Sequence, residues 1–293
     1  MRICSEAVRY VEKEAEMIDW QVGEEFTTDH GVVRWTSFGR GEPIVLMHGT
    51  PFSSFVWRDI ALALANTRRV YVWDMLGFGQ SDKHEGQDVS LVAQARIFAA
   101  LLGHWGLSQP SVVAHDVGGV VALRAGIIEA VNFGDLTLLN AVGVPGWSDG
   151  AFFRTVKSNP GLFAQLPAEA HEALVTSKIR DASHLGLRPA VLDRLLDPWR
   201  GADGQAAFYR QYGQADEADC DEFQEQLGDL SIPTRILWGR EDRWLSPHYA
   251  ERLRSRLPDA EFAWIEESGH LVQEDAPAQL LSYLIQEVTP QLA

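Results

Sequence analysis

The chain of 293 residues has few cysteines, a deficit of basic side chains and no long apolar run. Its two cysteines, Cys4 and Cys220, are too few for a disulfide framework and form no metal-ligand spacing, so we expect a reducing, cytoplasmic setting. Lys and Arg number 25 against 41 Asp and Glu, which gives a net charge of -16. Because phosphate binding needs clustered cations, this balance argues against nucleic acid as a partner.

Membrane and cofactor signals are also missing. The apolar runs are shorter than a membrane span, and residues 1–20 are too charged for a signal peptide, so we expect no membrane partner. The chain has no H-E-x-x-H motif and no G-x-G-x-x-G after a strand. The sequence therefore predicts no metal and no cofactor, and it indicates no oligomeric state.

What the sequence does contain is enough apolar material for a large core, at 46% hydrophobic residues. From Glu24 an alternating pattern with a turn at His30-Gly31 predicts a β-hairpin. Helical segments then separate short apolar runs that we interpret as buried strands: PIVLMHG, RVYVWD, SVVAHD, DLTLLNAV, TRILWG and EFAWIEE. This alternation predicts an α/β fold with a mostly parallel central sheet and helices on both faces.

The rhythm changes between Pro145 and Leu230, where helical, aromatic and acidic segments follow one another without a buried strand. We predict that residues 145–230 form a helical cap. The cap would be inserted between a first core part, residues 1–144, and a second core part, residues 231–293.

The stretch SVVAHDVGGVVALR runs a predicted strand into Asp116 and then into a helix. Reactive groups of parallel α/β sheets lie at the carboxyl ends of strands, where a tight turn enters the next helix. Ala114, Gly118 and Gly119 are small enough to allow a sharp turn that exposes the central side chain. The alternative is that Asp116 simply caps the helix that follows.

Two later stretches favour a catalytic role. LWGREDRWLSP places Glu241 and Asp242 just after a predicted strand, and IEESGHLVQEDAP places His270 just after the next one. Nucleophile, acid and base thus occur in the order Asp116, Asp242, His270, which is the order of α/β-hydrolases. His115, beside the nucleophile, is expected to point to the other side of the strand and to be structural.

From about Glu24 onward the chain resembles the α/β-hydrolase fold family. The resemblance lies in the motifs HGTP, WDMLGFGQSD, AHDVGG, GREDRW and SGHLVQEDAP. Asp rather than Ser at position 116 narrows it to the epoxide hydrolase and haloalkane dehalogenase branch. The resemblance implies that Asp242, not the adjacent Glu241, is the acid, and that the backbone N–H groups of Thr50 and Val117 form an oxyanion hole.

The residue type at position 116, in the tight turn between strand and helix that we call the elbow, dictates the expected chemistry. A carboxylate is ionised at neutral pH, so Asp116 can attack an electrophilic carbon without first losing a proton. The attack would form a covalent alkyl ester on the enzyme. His270, supported by Asp242, would then activate the water that cleaves the ester.

The leaving group is less well defined. Haloalkane dehalogenases usually have Trp after the nucleophile and often Asn after the His-Gly of the earlier strand, but this chain has Val117 and Thr50 there. It also lacks the arginine that fluoroacetate dehalogenases carry beside the nucleophile. Epoxide opening needs a proton donor, which the family takes from cap tyrosines, and AAFYRQYGQ supplies Tyr209 and Tyr212 on neighbouring positions of one helix face.

We therefore predict epoxide opening in a small apolar substrate, with dehalogenation as the alternative. Epoxide hydrolases often have Trp after the nucleophile too, so Val117 departs from both branches. Which tyrosine donates stays open, and both rings could simply pack the cap onto the core. The predicted substrate-binding residues are Trp147, Phe153, Tyr209, Tyr212 and Leu271.

Two further interpretations stay open. One is an ester, lactone or C–C hydrolase, although the elbow has Asp116 where Ser-dependent enzymes carry G-x-S-x-G. The other is a ligand-binding relative without activity, because a fold does not fix a function.

Overall fold

One sheet organises the part of the chain that the computed structural model describes, residues 19–148 and 150–288. Its strand order is β1-β2-β4-β3-β5-β6-β7-β8. The antiparallel pairs β1·β2 and β2·β4 lie at one edge, and every other pairing is parallel. The predicted hairpin and the mostly parallel sheet are confirmed. The strands are β1 (Glu24–Thr28), β2 (Gly31–Gly39), β3 (Pro43–Met47), β4 (Arg69–Trp73), β5 (Ser111–His115), β6 (Asp135–Leu139), β7 (Thr234–Gly239) and β8 (Glu261–Ile265).

Helices follow the strands, as in other α/β proteins. Short 3-10 segments occur at Ser54–Trp57, Asp197–Trp199 and Gln224–Asp229. The α-helices are α1 (Arg58–Leu64), α2 (Leu91–His104), α3 (Gly118–Ile127), α4 (Ala151–Ser158), α5 (Pro160–Phe163), α6 (Ala168–Asp181), α7 (Pro189–Leu196), α8 (Gly201–Gln214), α9 (Ala218–Asp221), α10 (Pro247–Arg256), α11 (Val272–Asp275) and α12 (Pro277–Leu284).

The central strands are buried because their side chains are apolar on both faces. In β3 the side chains of Ile44–Met47 are all buried, and β7 is buried along its whole length. Such continuous apolar runs suit a sheet covered on two sides, and they hold the carboxyl ends of neighbouring strands at one rigid edge.

Between the end of β6 at Leu139 and the start of β7 at Thr234, the described residues form helices and no strand. We call residues 145–230 the insertion. Trp199 anchors it to the sheet, because its indole Nε1 donates to the carbonyl of Pro51 at 2.8 Å, in the loop after β3. Gln214 adds a second link by accepting from the N–H of Val89 at 2.7 Å.

The structure differs from the sequence prediction in two local elements. The helical segment predicted between β3 and β4 begins as a 3-10 turn and becomes α-helical only at Arg58. The short helix α11 was not predicted, and its last residue, Asp275, accepts hydrogen bonds from the N–H groups of Gly269 and His184, each at 2.8 Å. The charged start of the chain and Cys4 lie outside the described residues.

Candidate active site

Asp116 lies at the turn between β5 and α3, with a backbone φ of 53°, in the left-handed region that ordinary residues rarely adopt. The turn needs glycine at the second and third positions after Asp116. A Cβ on Gly118 would lie 2.8 Å from the carbonyl oxygen of His48, and one on Gly119 would lie 2.5 Å from that of Val142. The small residues in the sequence are therefore steric requirements of this turn.

The carboxylate of Asp116 does not cap the following helix, because α3 begins without any side-chain cap. The N–H of Thr50 donates to its Oδ2 at 2.7 Å, and the N–H of Val117 binds the same carboxylate. The two groups predicted as oxyanion-hole donors thus converge on Asp116.

His270 connects Asp116 to Asp242. Its Nδ1 lies 2.9 Å from Oδ2 of Asp242, and its Nε2 lies 3.6 Å from Oδ1 of Asp116. Because a carboxylate only accepts hydrogen bonds, Nδ1 carries the proton and Nε2 faces Asp116 as the basic nitrogen in neutral histidine. The structure thus brings the three predicted catalytic residues together.

Asp242 rather than Glu241 contacts the histidine. Glu241 instead accepts from the N–H of Ser268 at 2.9 Å. The carboxylate of Asp242 is held by three donors besides His270: Asn140 Nδ2 at 2.6 Å, Trp244 N at 2.7 Å and Leu245 N at 3.0 Å.

Sequence reasoning missed Asn140. This residue follows β6, has a φ of 42°, and bridges Asp242 to the N–H of Gly239, which donates to its Oδ1 at 3.0 Å. The signal was available, since Asn140 is the polar residue at the carboxyl end of the strand between those that carry Asp116 and Asp242.

The pKa values reflect this buried network. Burial raises the pKa of Asp116, and this outweighs the opposing effect of His270 and of the two N–H groups. Burial alone would lower the pKa of His270, but its charge interaction and hydrogen bond with Asp242 outweigh burial and raise it. His115 has a pKa well below the ordinary value because it is buried, and its Nε2 donates to the carbonyl of His270 at 2.9 Å.

A cavity of about 80 Å³ opens above Asp116. The core contributes Thr50, Val117 and Trp244 to its wall. The insertion contributes the residues Trp147, Phe152, Phe153, Lys178 and Tyr212. Apolar and aromatic walls with a few polar groups are typical of small-molecule sites.

Two predicted lining residues lie elsewhere. The hydroxyl of Tyr209 lies 2.9 Å from Nδ1 of His171, inside the insertion, because three positions along a helix still rotate the side chain by about 60° from Tyr212. Leu271 is fully buried, and its N–H donates to the carbonyl of Ala182 at 2.9 Å. Neither residue contacts the cavity, whereas Trp147, Phe153 and Tyr212 do.

Lys178 and Trp244 were not predicted as site residues. Nζ of Lys178 lies 3.4 Å from the ring centroid of Trp244, and the indole of Trp244 stacks on His270 with centroids 4.8 Å apart. A lysine on an amphipathic helix normally indicates a solvated face, so no sequence signal marked Lys178. Burial lowers its pKa to about 8.

One run, GWSDG at residues 146–150, matches G-x-S-x-G outside the elbow. It starts well after the end of β6 at Leu139 and leads into α4, so no strand presents Ser148 as a nucleophile elbow would. The N–H of Ser148 instead donates to Glu217 at 2.7 Å.

Comparison with known proteins places these features in a family. A profile of the alpha/beta hydrolase fold matches residues 42–277. The chain belongs to the α/β-hydrolase fold family. A solved α/β-hydrolase fold protein from Burkholderia ambifaria superposes with a TM-score of 0.88 at 39% identity, covering 92% of this chain and 98% of the other.

Curated relatives are more distant. Haloalkane dehalogenase 2 of Mycobacterium tuberculosis is 28% identical over 268 residues, which cover 89% of this chain and 93% of the relative. Cis-3-alkyl-4-alkyloxetan-2-one decarboxylase of Shewanella oneidensis is 24% identical over 269 residues, covering 84% and 81%. These similarities support an α/β-fold hydrolase.

Within residues 19–148 and 150–288, no group of three or more His, Cys, Asp or Glu side chains could hold a metal ion. The same part of the chain has no helix with both the length and the apolar character that a bilayer crossing demands.

Proposed function

We propose that this α/β-hydrolase opens an epoxide in a small apolar substrate by way of a covalent ester on Asp116. One observation supports the proposal most directly: Oδ1 of Asp116 faces Nε2 of His270 at 3.6 Å, while the N–H of Thr50 holds Oδ2 at 2.7 Å. Oδ1 is thereby available for attack, and Oδ2 is already hydrogen-bonded by the backbone.

In the first step, Oδ1 of Asp116 attacks an epoxide carbon and the C–O bond breaks. The substrate lies under the insertion, for which we propose the role of a cap over the two core parts. Tyr212 is the member of the predicted tyrosine pair that lines the cavity, and its buried hydroxyl has no hydrogen-bond partner among the described residues. It is therefore able to donate a hydrogen bond to the departing oxygen.

In the second step, His270 takes a proton from water, which attacks the ester carbonyl. That carbonyl oxygen is the former Oδ2, so the N–H groups of Thr50 and Val117 stabilise the oxyanion. Each such donor contributes roughly 3 to 4 kcal/mol in other hydrolases. Collapse of the intermediate releases a diol and regenerates Asp116.

The test is to trap the ester. In a His270→Ala variant the ester should form but not hydrolyse, so the intact protein gains the mass of the whole epoxide, and peptide mapping places it on Asp116. His30→Ala, in the exposed turn between β1 and β2, is the matched control and should gain no mass. Turnover by His270→Ala at the wild-type rate, without any adduct, would contradict the proposal.

Dehalogenation is the second candidate, and the similarity to haloalkane dehalogenase 2 over most of both chains favours it. The same nucleophile and base would serve, since a halide is also displaced from carbon. Against it, the side chains of Val117 and Thr50 offer no N–H to a halide. Halide release from a panel of haloalkanes, compared with diol formation from styrene-type epoxides, separates the two.

A further inference from the structure

Lys178 brings an ammonium group into the cavity that contains Asp116. Its Nζ lies 3.4 Å from the centroid of the Trp244 ring and 5.5 Å from that of Phe152. Among residues 19–148 and 150–288 it forms no ion pair, so aromatic faces are its nearest partners. A part-buried ammonium without a carboxylate at ion-pair distance is costly to hold, so it gains from an anion that forms next to it in the cavity.

The reaction supplies such an anion. Asp116 carries the negative charge before the attack, and the oxygen that leaves carbon carries it afterwards. An alkoxide is a poor leaving group, so this oxygen needs a proton as the C–O bond breaks. The donor has to lie in the cavity wall, and Lys178 is on the insertion side of that wall, with Tyr212.

We propose that Lys178 is the general acid of the ring-opening step, donating a proton from Nζ to the epoxide oxygen while Tyr212 positions that oxygen by a hydrogen bond. The proposal rests on the function proposed above. The bond between Oδ1 of Asp116 and carbon forms, the C–O bond breaks with its electron pair on oxygen, and the proton of Lys178 completes a hydroxyl group. The neutral amine then recovers a proton that His270 takes from water, so that epoxide and water give a diol.

The pKa values agree with these two roles, in which Lys178 donates the proton and Tyr212 donates only a hydrogen bond. Burial raises the pKa of Tyr212, and the negative charge of Asp116 raises it further, so the phenol is a weak acid. Burial lowers the pKa of Lys178 to about 8, against the opposing charges of Asp181, Asp116 and Asp242. The positive charge of Lys178 in turn opposes protonation of His270. At neutral pH Lys178 is protonated and is a stronger acid than Tyr212.

The experiment measures the rate of ester formation by rapid quench and intact mass in the His270→Ala background, so that His270 does not titrate. With Lys178 intact, the rate should fall as pH rises through about 8, because the neutral amine cannot donate a proton. Lys178→Met should slow ester formation about 10²-fold or more and abolish this alkaline limb. Lys178→Arg should restore part of the rate and move the limb to higher pH, since guanidinium stays protonated.

Lys157→Met is the matched control, a lysine of the same insertion that pairs with Asp216 at the surface, and it should change neither the rate nor the pH profile. A Lys178→Met variant that keeps the alkaline limb overturns the general acid role, and so does one that is slowed less than tenfold. If the parent His270→Ala protein forms no ester at any pH, the proposed function itself fails and the role of Lys178 falls with it. Thermal unfolding of each variant separates misfolding from loss of chemistry.

Discussion

The two walls of the cavity are built differently. On the core side, Asp116 and Asp242 are held by backbone N–H groups at strand ends, as with Thr50 N at 2.7 Å and Trp244 N at 2.7 Å. On the insertion side, the hydroxyl of Tyr212 is buried without a hydrogen-bond partner among the described residues. The catalytic carboxylates of the core wall are therefore held in place before substrate binds, whereas the hydroxyl of Tyr212 on the insertion wall still lacks a partner. Nε2 of His270 also has no hydrogen-bond partner among the described residues, which suits a base.

This contrast indicates a division of labour. Groups fixed by the main chain keep a nucleophile and a base in register, because strand ends move little relative to one another. Unsatisfied polar groups on helices gain most from a ligand, because a buried group without a partner is costly. We expect changes at the catalytic residues of the core wall to slow turnover more than changes in the insertion wall.

The largest effect is expected at Asp116. Asp116→Asn removes the nucleophile while leaving the shape of the turn, so ester formation should fall by about 10⁴-fold or more. Single-turnover rates by rapid quench measure this. Asp135→Asn is the control. Asp135 lies at the amino end of β6, away from the site, where it accepts a hydrogen bond from Ser111 Oγ at 2.6 Å. Near-normal ester formation by Asp116→Asn would show that Asp116 is not the nucleophile.

The next largest effect separates Asp242 from its neighbour. Asp242→Asn no longer supports the charged imidazole of His270, so ester hydrolysis should slow by roughly 10³ to 10⁴-fold while ester formation changes little. Glu241→Gln should be close to wild type in both steps. Decay of the ester after a substrate pulse measures the difference. Equal losses of the ester hydrolysis rate in the two variants would contradict the assignment of Asp242 alone as the acid that supports His270.

A smaller effect distinguishes the two tyrosines of the insertion. Tyr212→Phe removes the hydroxyl that faces the cavity and should slow ester formation about tenfold to a hundredfold, without changing ester decay. Tyr209→Phe removes the contact with His171 and should lower the free energy of unfolding by about 1 kcal/mol with unchanged kinetics. Denaturant unfolding and single-turnover rates test both, and the reverse assignment would show that Tyr209 is the substrate-facing residue.

The smallest effect is a pH dependence of the core wall. His270 must be neutral to accept a proton from water, and its pKa is raised above the ordinary value of 6.5. Ester decay should therefore slow as pH falls through that raised pKa. In Asp242→Asn the limb should move to lower pH, because the interaction that raises the pKa is lost. A pH profile of ester decay in both proteins is the measurement, and an unshifted limb would show that another group controls it.

The three catalytic residues of the core wall could be predicted from the sequence, whereas the insertion wall was predicted only in part, through Trp147, Phe153 and Tyr212. Asp116, Asp242 and His270 each follow a strand, and parallel strands bring their carboxyl ends to one edge, so position along the chain implies proximity. Asn140 obeys the same rule and could have been found by it. The small residues around Asp116, such as Gly118, also predicted the sharp turn.

The insertion offers no comparable rule. Helical spacing placed Tyr209 and Tyr212 on one face, but which ring reaches the cavity depends on how α8 rotates over the sheet. Lys178 has no pattern that separates it from a solvated lysine, because its place over Trp244 arises only from tertiary packing. In the core, Leu271 is adjacent to His270 in sequence, yet its N–H binds the carbonyl of Ala182 and its side chain does not line the cavity.

The central claim is that Asp116 forms a bond to carbon which water then breaks at the carboxyl group. A single turnover of the wild-type protein in heavy-oxygen water tests it, with mass analysis of the peptide that contains Asp116. We predict that the label enters the Asp116 carboxylate, while the product of that first turnover takes its oxygen from the enzyme. Label in the product together with an unlabelled Asp116 after many turnovers would contradict the account.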